Sequence, residues 1–453
     1  MAVNTEYKLY TKYKKKWDLC RDFMESEVEH RIPDIDPKDK KRSQQYREDA
    51  QLTNFTARTV NGFVGLIFSK DPSYELTPKT EHLLEDATGD SMHLFQLAKE
   101  SCTETILTAR YIILSDFPEL ETAVNRRDQQ RLNLQSKLRV WKAESAINWG
   151  YEYRNNRKIL NLLVLKDVID YVDEDFIHHE SNEYTVLRLD QDGYYKIEVY
   201  DHELTLIREN WPKKGNGELF EIIPVSIIGA QRVGADPHTP PIYDIAKINL
   251  GHYKNSASQE ESIKICGQPS LFFTTDLSRE QFKAANKNGI KIGARAGHNL
   301  GSSGSAQLLQ ASPNTLAGEG MEQKQRLAFM VGAMLLQPQA SNETAAAAKI
   351  RNKSEISVLD SIATNNSVGI RQNLRWCAEF EGDNPDDIQF ELNYEFFEAV
   401  ADSQAILAAI QLYDRGAIAL PDLRHNARKS GLLEHTRDDE DVDADISNGS
   451  PLV

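Results

Sequence analysis

The stretch from Pro240 to Pro269 constrains this chain more than any other, because it spells out one long helix with both ends punctuated. Pro240-Pro241 opens it: proline fixes φ near the helical value, and the N–H it lacks is not needed in a first turn. Asp244 follows near the positive end of the helix dipole. At the far end Gly267 suits a left-handed cap after Cys266, and Pro269 prevents continuation. Residues 241–266 at ~1.5 Å per residue make a rod about 39 Å long. Beyond Gly251 its faces carry Ser256, Ala257, Ser258 and Ser262 in place of a broad apolar stripe. Such a rod is expected to pack side by side with copies of itself and not inside a monomer core.

A second long helix is expected over residues 314–336, with Leu327, Met330, Val331 and Met334 in line and Pro338 as its stop. Glu319 and Glu322 precede Lys324 and Arg326, the order the helix dipole favours. Between the rods, residues 270–275, 290–292 and 307–309 read as short strands around a helix at 278–286. The two rods therefore enclose a small αβ insertion. Next comes an uncharged loop, Gln337, Pro338, Gln339, Ala340, Ser341 and Asn342, rich in amide and hydroxyl groups. Ser341 or Asn342 then caps a helix reaching about residue 380. Its face is marked by Asn352, Ile356, Leu359, Ala363, Asn366, Ile370, Leu374, Cys377 and Phe380. Two shorter helices follow at 399–413 and 421–430, with Gly416 and Gly431 where caps belong. The acidic run Asp438-Asp439-Glu440-Asp441 opens a tail expected to be disordered.

The N-terminal half mixes helix and sheet. Tyr10, Tyr13, Trp17, Cys20, Met24 and Val28 recur at helical spacing, and Pro33 and Pro37 close that helix. A second helix is expected over 45–68, burying Phe55, Val60, Phe63, Val64 and Ile67. Residues 110–114, 159–165, 184–189 and 194–200 read as strands. Asp192-Gly193 stands where a two-residue hairpin turn needs positive φ.

Composition excludes several classes. A 40% hydrophobic, 27% charged chain of 453 residues is a folded protein of several domains. Its most apolar run, 219–230, is broken by Glu221 and Pro224 and falls short of a membrane span. The N-terminus lacks the basic and apolar regions of a secretory signal. Cys20, Cys102, Cys266 and Cys377 lack ligand spacing and read as reduced thiols. A formal charge of −16 argues against tight gripping of nucleic acid, which takes clustered cations. Gly293, Gly297, Gly301 and Gly304 form a glycine-rich loop without the ending or context of a nucleotide motif. His178-His179-Glu180 lacks metal-site spacing and reads as an exposed loop. No nucleophile elbow or triad is legible.

Several stretches resemble one family. They are Tyr46-Arg47-Glu48-Asp49-Ala50 with Asn54, Thr56 and Arg58-Thr59-Val60, then Gly65-Leu66-Ile67-Phe68-Ser69-Lys70-Asp71-Pro72. Further along stand Ala143-Glu144-Ser145-Ala146-Ile147-Asn148-Trp149, Ile223-Pro224-Val225 and Pro240-Pro241-Ile242-Tyr243-Asp244-Ile245-Ala246, with Asn249-Leu250 and His252-Tyr253. With the order of regions, they resemble portal proteins of tailed bacteriophages, ring subunits through which DNA passes. Where other members often carry an aromatic Tyr-Leu-Pro, this chain has Arg31-Ile32-Pro33.

The resemblance implies an α+β, mainly helical fold with a wing (1–239), a first stem helix (240–266) and a clip (267–312). A second stem helix (313–336), a tunnel loop (337–342) and a long wing helix with a return strand (343–398) would follow. Crown helices (399–435) and an acidic tail (436–453) would end the chain. It implies a homo-oligomeric ring of about twelve copies. Twelve rods ~9–10 Å apart place their axes on a circle of about 18 Å radius, leaving a bore of roughly 26 Å. Lys247, Lys254, Glu261 and Lys264 are the stem candidates for the channel wall, and the loop 337–342 projects into it. Lys283, Lys287, Lys291 and Arg295 are the clip candidates for docking. Expected partners are double-stranded DNA, the terminase large subunit, the major capsid protein and head–tail adaptors. No membrane, cofactor, metal or catalysis is expected. The expected location is the capsid portal vertex of the virion, with host cytoplasm during assembly. The rival readings are another head–tail connector or minor capsid protein, and a cytoplasmic enzyme with an unrecognised site.

Overall fold

The computed structural model describes residues 2–118, 134–173, 175–267, 270–287, 298–311, 315–332, 345–394, 410–413, 415, 419–429 and 439. It is a mixed helix-and-sheet structure. Helix α1 (Lys8–Glu25) buries Tyr10, Trp17, Cys20 and Phe23. It stops well before Pro33: Ser26 turns to φ 63, and the N–H of Glu27 reaches back to the Asp22 carbonyl at 2.8 Å. The helix expected over 45–68 is two helices, α2 (Lys40–Glu48) and α3 (Phe55–Ile67). The break is chemical. Asn54 caps α3 by accepting the Ala57 N–H at 2.9 Å, and so forces non-helical backbone just ahead of it. The expected face of α3 is buried as read.

Helix α4 (Leu94–Thr108) joins α1 and α3 in the helical part of the core. Strand β1 (Ser73–Glu75) precedes α4, and after α4 run β2 (Tyr111–Asp116), β3 (Lys137–Lys142) and β4 (Ala146–Arg154). Next come β5 (Arg157–Val172), β6 (His178–Leu189), β7 (Tyr195–Tyr200), β8 (Leu206–Asn210) and β9 (Val225–Ile228). A three-stranded antiparallel sheet has the order β3-β2-β9, and a five-stranded meander the order β4-β5-β6-β7-β8. The four strands read in the N-terminal half of the sequence are present. The hairpin joining β6 to β7 is longer than the two residues expected. Asp190 donates its N–H to the Tyr194 carbonyl at 2.8 Å, and its carboxylate accepts N–H groups from Asp192 and Tyr194. Only Gly193, at φ 88, takes positive φ in that loop. This is a three-residue connection with its glycine at the left-handed position.

The chain then forms α5 (Tyr243–Gly267), β10 (Ser270–Thr274), α6 (Arg279–Ala285), β11 (Ser305–Leu309) and α7 (Leu316–Val331). It continues into α8 (Ala345–Glu381), the short strand β12 (Gln389–Glu391) and α9 (Leu420–Lys429). Gly267 is the last helical residue of α5, where the sequence placed it as the cap. Residues 410–413 are helical, and α9 stands where the last helix was expected. Residues 290–292, Gly416, Gly431 and the acidic tail apart from Asp439 lie outside the described residues.

Helix α8 carries the core. Leu359, Ala363, Asn366, Ile370, Leu374, Cys377 and Phe380 are all buried, as their spacing requires, against α4, β2 and β9. Each fully buried leucine or isoleucine there contributes about 1.5–3 kcal/mol. Asn352 and Ile356 have side chains outside the described set. Asn366 satisfies its buried amide through Ser101 and the Ile362 carbonyl. Glu381 precedes Gly382, whose φ of 71 ends the helix and lets Gly215 lie against it. β12 then pairs with β1.

Two arginines knit helix to sheet. Arg21 of α1 donates to both carboxylate oxygens of Glu104 on α4, at 3.0 and 2.8 Å, and to both of Glu144, at 2.8 and 2.9 Å. Burial works to lower its pKa, but the hydrogen bonds it donates to Glu104 and Glu144 outweigh that and raise it. Arg110 is fully buried with its guanidinium 4.3 Å from the Trp149 ring centre, and one N–H reaches the Ala146 carbonyl at 3.0 Å. Burial pulls its pKa down to about 10. Cys20, Cys102 and Cys377 are buried thiols, and burial pushes Cys20 and Cys377 up to about 12.

Candidate functional site

The two rods form an antiparallel pair. Ile245 meets Gly332, Gly251 meets Lys324, Asn255 meets Gly320 and Gln259 meets Gly318. The glycines set the separation: a methyl at Gly320 would lie 2.5 Å from Asn255 Nδ2, and one at Gly251 2.7 Å from Lys324 Cε. Close approach therefore comes from missing side chains rather than from interdigitated apolar ones.

The small residues of α5 do not face outward as a free stripe. Ser256 and Ala257 are buried within the chain, and the Gln51 N–H donates to Ser256 Oγ at 3.0 Å. Tyr46 reaches Ser258 Oγ at 2.9 Å. The rod was expected to stand outside a monomer core, and at Ser256 and Ala257 it is instead covered by its own chain. Residues 42–51 already lie over that side of the rod, because their polar side chains find serines and carboxylates there. The lower half of α5 buries Ile245, Ala246, Asn249, His252 and Tyr253 against the helical core. His252 packs edge-on to Phe55 at 5.1 Å; burial, and then Lys324, hold its pKa below the ordinary histidine value.

Lys247, Lys254 and Glu261 recur every seven residues and so share one stripe. Lys247 is exposed and 3.9 Å from Asp244 of the same chain. Lys254 is half-buried, without an ion pair among the described residues. Glu261 accepts from Arg42 Nε at 3.1 Å and Nη2 at 2.6 Å, and Lys264 pairs with Asp49. The Lys264 hydrogen bond holds the Asp49 carboxyl below its usual value. Two of the four charges expected on the channel wall, Glu261 and Lys264, are thus engaged by Arg42 and Asp49 of their own chain. Arg42 and Asp49 went unread because nothing in a linear spacing links residues more than two hundred positions apart. Ile263 and Ile265, 53% and 50% exposed, are the large apolar residues left open near the end of the rod.

The insertion follows. β10 and β11 pair antiparallel, Ser270 opposite Leu309 through Thr274 opposite Ser305. α6 starts with a full capping box between Ser278 and Gln281. Asp276 accepts from Ser302 Oγ at 2.9 Å, and its pKa is lowered by Ser302 and Ser303. Within the insertion, Asn286 and Asn299 exchange two hydrogen bonds at 3.0 and 3.2 Å. Lys283 and Lys287 are exposed, and Arg279, unnamed in the sequence reading, precedes Lys283 by one helical turn. Lys291, Arg295 and the loop Gln337, Pro338, Gln339, Ala340, Ser341 and Asn342 lie outside the described residues.

His178 and His179 lie on β6 and not in a loop, their rings 3.1 Å from Asp170 and 2.6 Å from Asp173. Among the described residues no group of three or more metal-ligating side chains is assembled, and no helix is long and apolar enough to cross a membrane.

A family model described as a domain of unknown function, DUF4055, matches residues 241–381, from the start of α5 to the end of α8. No curated protein matches the chain. Among solved structures, a chain from the neck of an empty gene transfer agent particle is similar at 14% identity and a TM-score of 0.42, covering 81% of this chain and 86% of that one. A chain from the virion of a native gene transfer agent particle is similar at 14% identity and a TM-score of 0.43, covering 82% and 88%.

Proposed function

We propose that this chain is a portal-type ring subunit at one vertex of a tailed-phage-like particle, forming a channel for double-stranded DNA. The observation that carries the reading is the antiparallel rod pair α5/α7, joined by a small αβ insertion and followed by the long helix α8. In this reading α5 and α7 are the stem, the insertion is the clip, and the base with its two sheets is the wing. The sequence resemblance supports the same assignment through the residues leading into α5.

The role is passive guidance. A chain with a formal charge of −16 offers DNA few continuous cationic contacts, so a duplex can slide without being held. Lys247 and Lys254 on the stem stripe supply scattered positive charge, while Glu261 and Lys264 are partly neutralised by Arg42 and Asp49. The Arg279, Lys283 and Lys287 row on the clip is the docking surface for the ATP-driven terminase large subunit and, later, head–tail adaptors. The wing meets the major capsid protein.

Negative-stain microscopy of the purified chain tests this. A ring of about twelve copies with a bore near 26 Å is expected; a compact particle without a hole overturns the proposal. Two lysines added within residues 337–342 are expected to slow DNA packaging, and unchanged filling counts against the tunnel-loop role.

A further inference from the structure

β5 and β6 run on past the sheet they belong to. β4 pairs with β5 only as far as Leu165, and β7 pairs with β6 only from Tyr184. Residues 167–172 and 178–183 therefore pair with each other alone, as a two-stranded ribbon with both edges open. An isolated ribbon of this kind is marginal in water. Yet it exposes Val168, Ile169, Tyr171, Val172, Phe176 and Ile177. Phe176, at the tip, is 87% exposed and held at φ 63, a left-handed backbone that a bulky residue rarely adopts. The ribbon is also acidic, with seven carboxylates against one lysine over residues 166–183. Asp170 stands directly opposite Glu180, a like-charge pair that destabilises the free ribbon.

The complementary surface lies on the same chain. Five lysines and no carboxylate occur between Tyr7 and Trp17. Lys8, Lys12 and Lys15 are spaced by four and three along α1, exposed, and without a carboxylate partner among the described residues. From Lys8 to Lys12 the helix rises about 6 Å, and the directly opposed Asp170 and Glu180 have their Cβ atoms about 5 Å apart. None of the three lysines is within ion-pair distance of the ribbon of its own chain.

We propose that the ribbon of residues 167–183 is an arm that docks on the Lys8, Lys12 and Lys15 row of a neighbouring copy of this chain. The proposal rests on the ring reading: in a head-to-tail ring every subunit presents one arm and one row, so each contact is satisfied and the ring closes. Docking covers the apolar face of the arm and gives lysine partners to Glu180 and to Asp170, which has only His178 beside it.

The test is charge reversal with rescue, read by mass photometry across protein concentrations and by negative-stain microscopy. Lys8→Glu/Lys12→Glu/Lys15→Glu, and separately Asp170→Lys/Glu180→Lys, are expected to raise the concentration for half-assembly at least tenfold. Thermal melts by circular dichroism are expected to match wild type, since all five residues are exposed. Combining the two sets is expected to restore assembly to within about threefold of wild type. A second variant joins Lys166 to Tyr184 through Asn-Gly, which suits a two-residue hairpin and removes the arm without touching the sheet; it is expected to lose assembly like the charge variants. Rings that form normally in either charge variant or in the armless one overturn the docking and leave the ring reading standing, as does a combination that fails to rescue. Wild-type protein that forms no ring at all overturns both.

Discussion

The base of the molecule and the α5/α7 pair are both built on long helices, yet different forces hold them. In the base, α8 buries an apolar stripe against α4, β2 and β9, and Arg21 ties α1 to Glu104 and Glu144 where little water reaches. In the outer half of the pair, backbones approach through glycines, and exposed ion pairs such as Lys264 with Asp49 bind α5 to α2. Buried charge and packed apolar volume are expensive to disturb, while exposed pairs are screened and cheap to lose. The base is thus the rigid platform, and the outer rods have spare surface for contacts with other molecules.

The comparison fails first if the Arg21 clamp proves dispensable. Arg21→Ala leaves Glu104, 6% exposed, without its cation, and is expected to cost about 3–5 kcal/mol in urea denaturation. A loss below about 1 kcal/mol would remove the clamp from the account of the base. Leu374→Ala, at the centre of the α8 stripe, is expected to cost about 2–5 kcal/mol. Gly215→Ala adds a methyl 2.4 Å from the backbone nitrogen of Gly382, which cannot rotate away, and is expected to cost about 1–3 kcal/mol. A neutral result there would mean the turn after α8 slides freely.

Lys264→Met belongs to the other region and is expected to show the smallest effect of the four. Its pH dependence sharpens the contrast. Because the Lys264 hydrogen bond holds the folded Asp49 carboxyl low, the pair adds stability above the unfolded carboxylate pKa of about 3.9. That stability is lost as pH falls through the lower folded value. Wild type and Lys264→Met are therefore expected to differ slightly at pH 7 and to converge in strongly acidic buffer. Divergence at low pH would contradict the assignment.

Much of the base was legible because its signals are local and periodic. The α8 face, the α3 face and the strands around Ile159, Tyr184 and Tyr194 all emerged as spacings of hydrophobic residues. The break between α2 and α3 was missed although its signal, Asn54 ahead of an apolar run, was present; the apolar spacing on both sides masked the cap. At the candidate site the rods themselves were legible from their punctuation. Their surroundings were not: Ser256 was read as facing copies and is covered by Gln51, and Glu261 was read as a channel charge and is held by Arg42.

By itself the sequence determined where the first rod begins and ends, which residues line the inner face of α8, and that the chain as a whole carries an excess of negative charge. Those properties follow from backbone chemistry, helical period and charge, which act over a few residues or over the whole chain at once. Tertiary structure alone decided which polar groups on α5 are already engaged, that β5 and β6 outrun their sheet, and that Lys8, Lys12 and Lys15 of α1 have no carboxylate partner among the described residues. Each of these depends on which distant segment the folded chain brings within hydrogen-bonding reach, and no spacing along the chain encodes that distance.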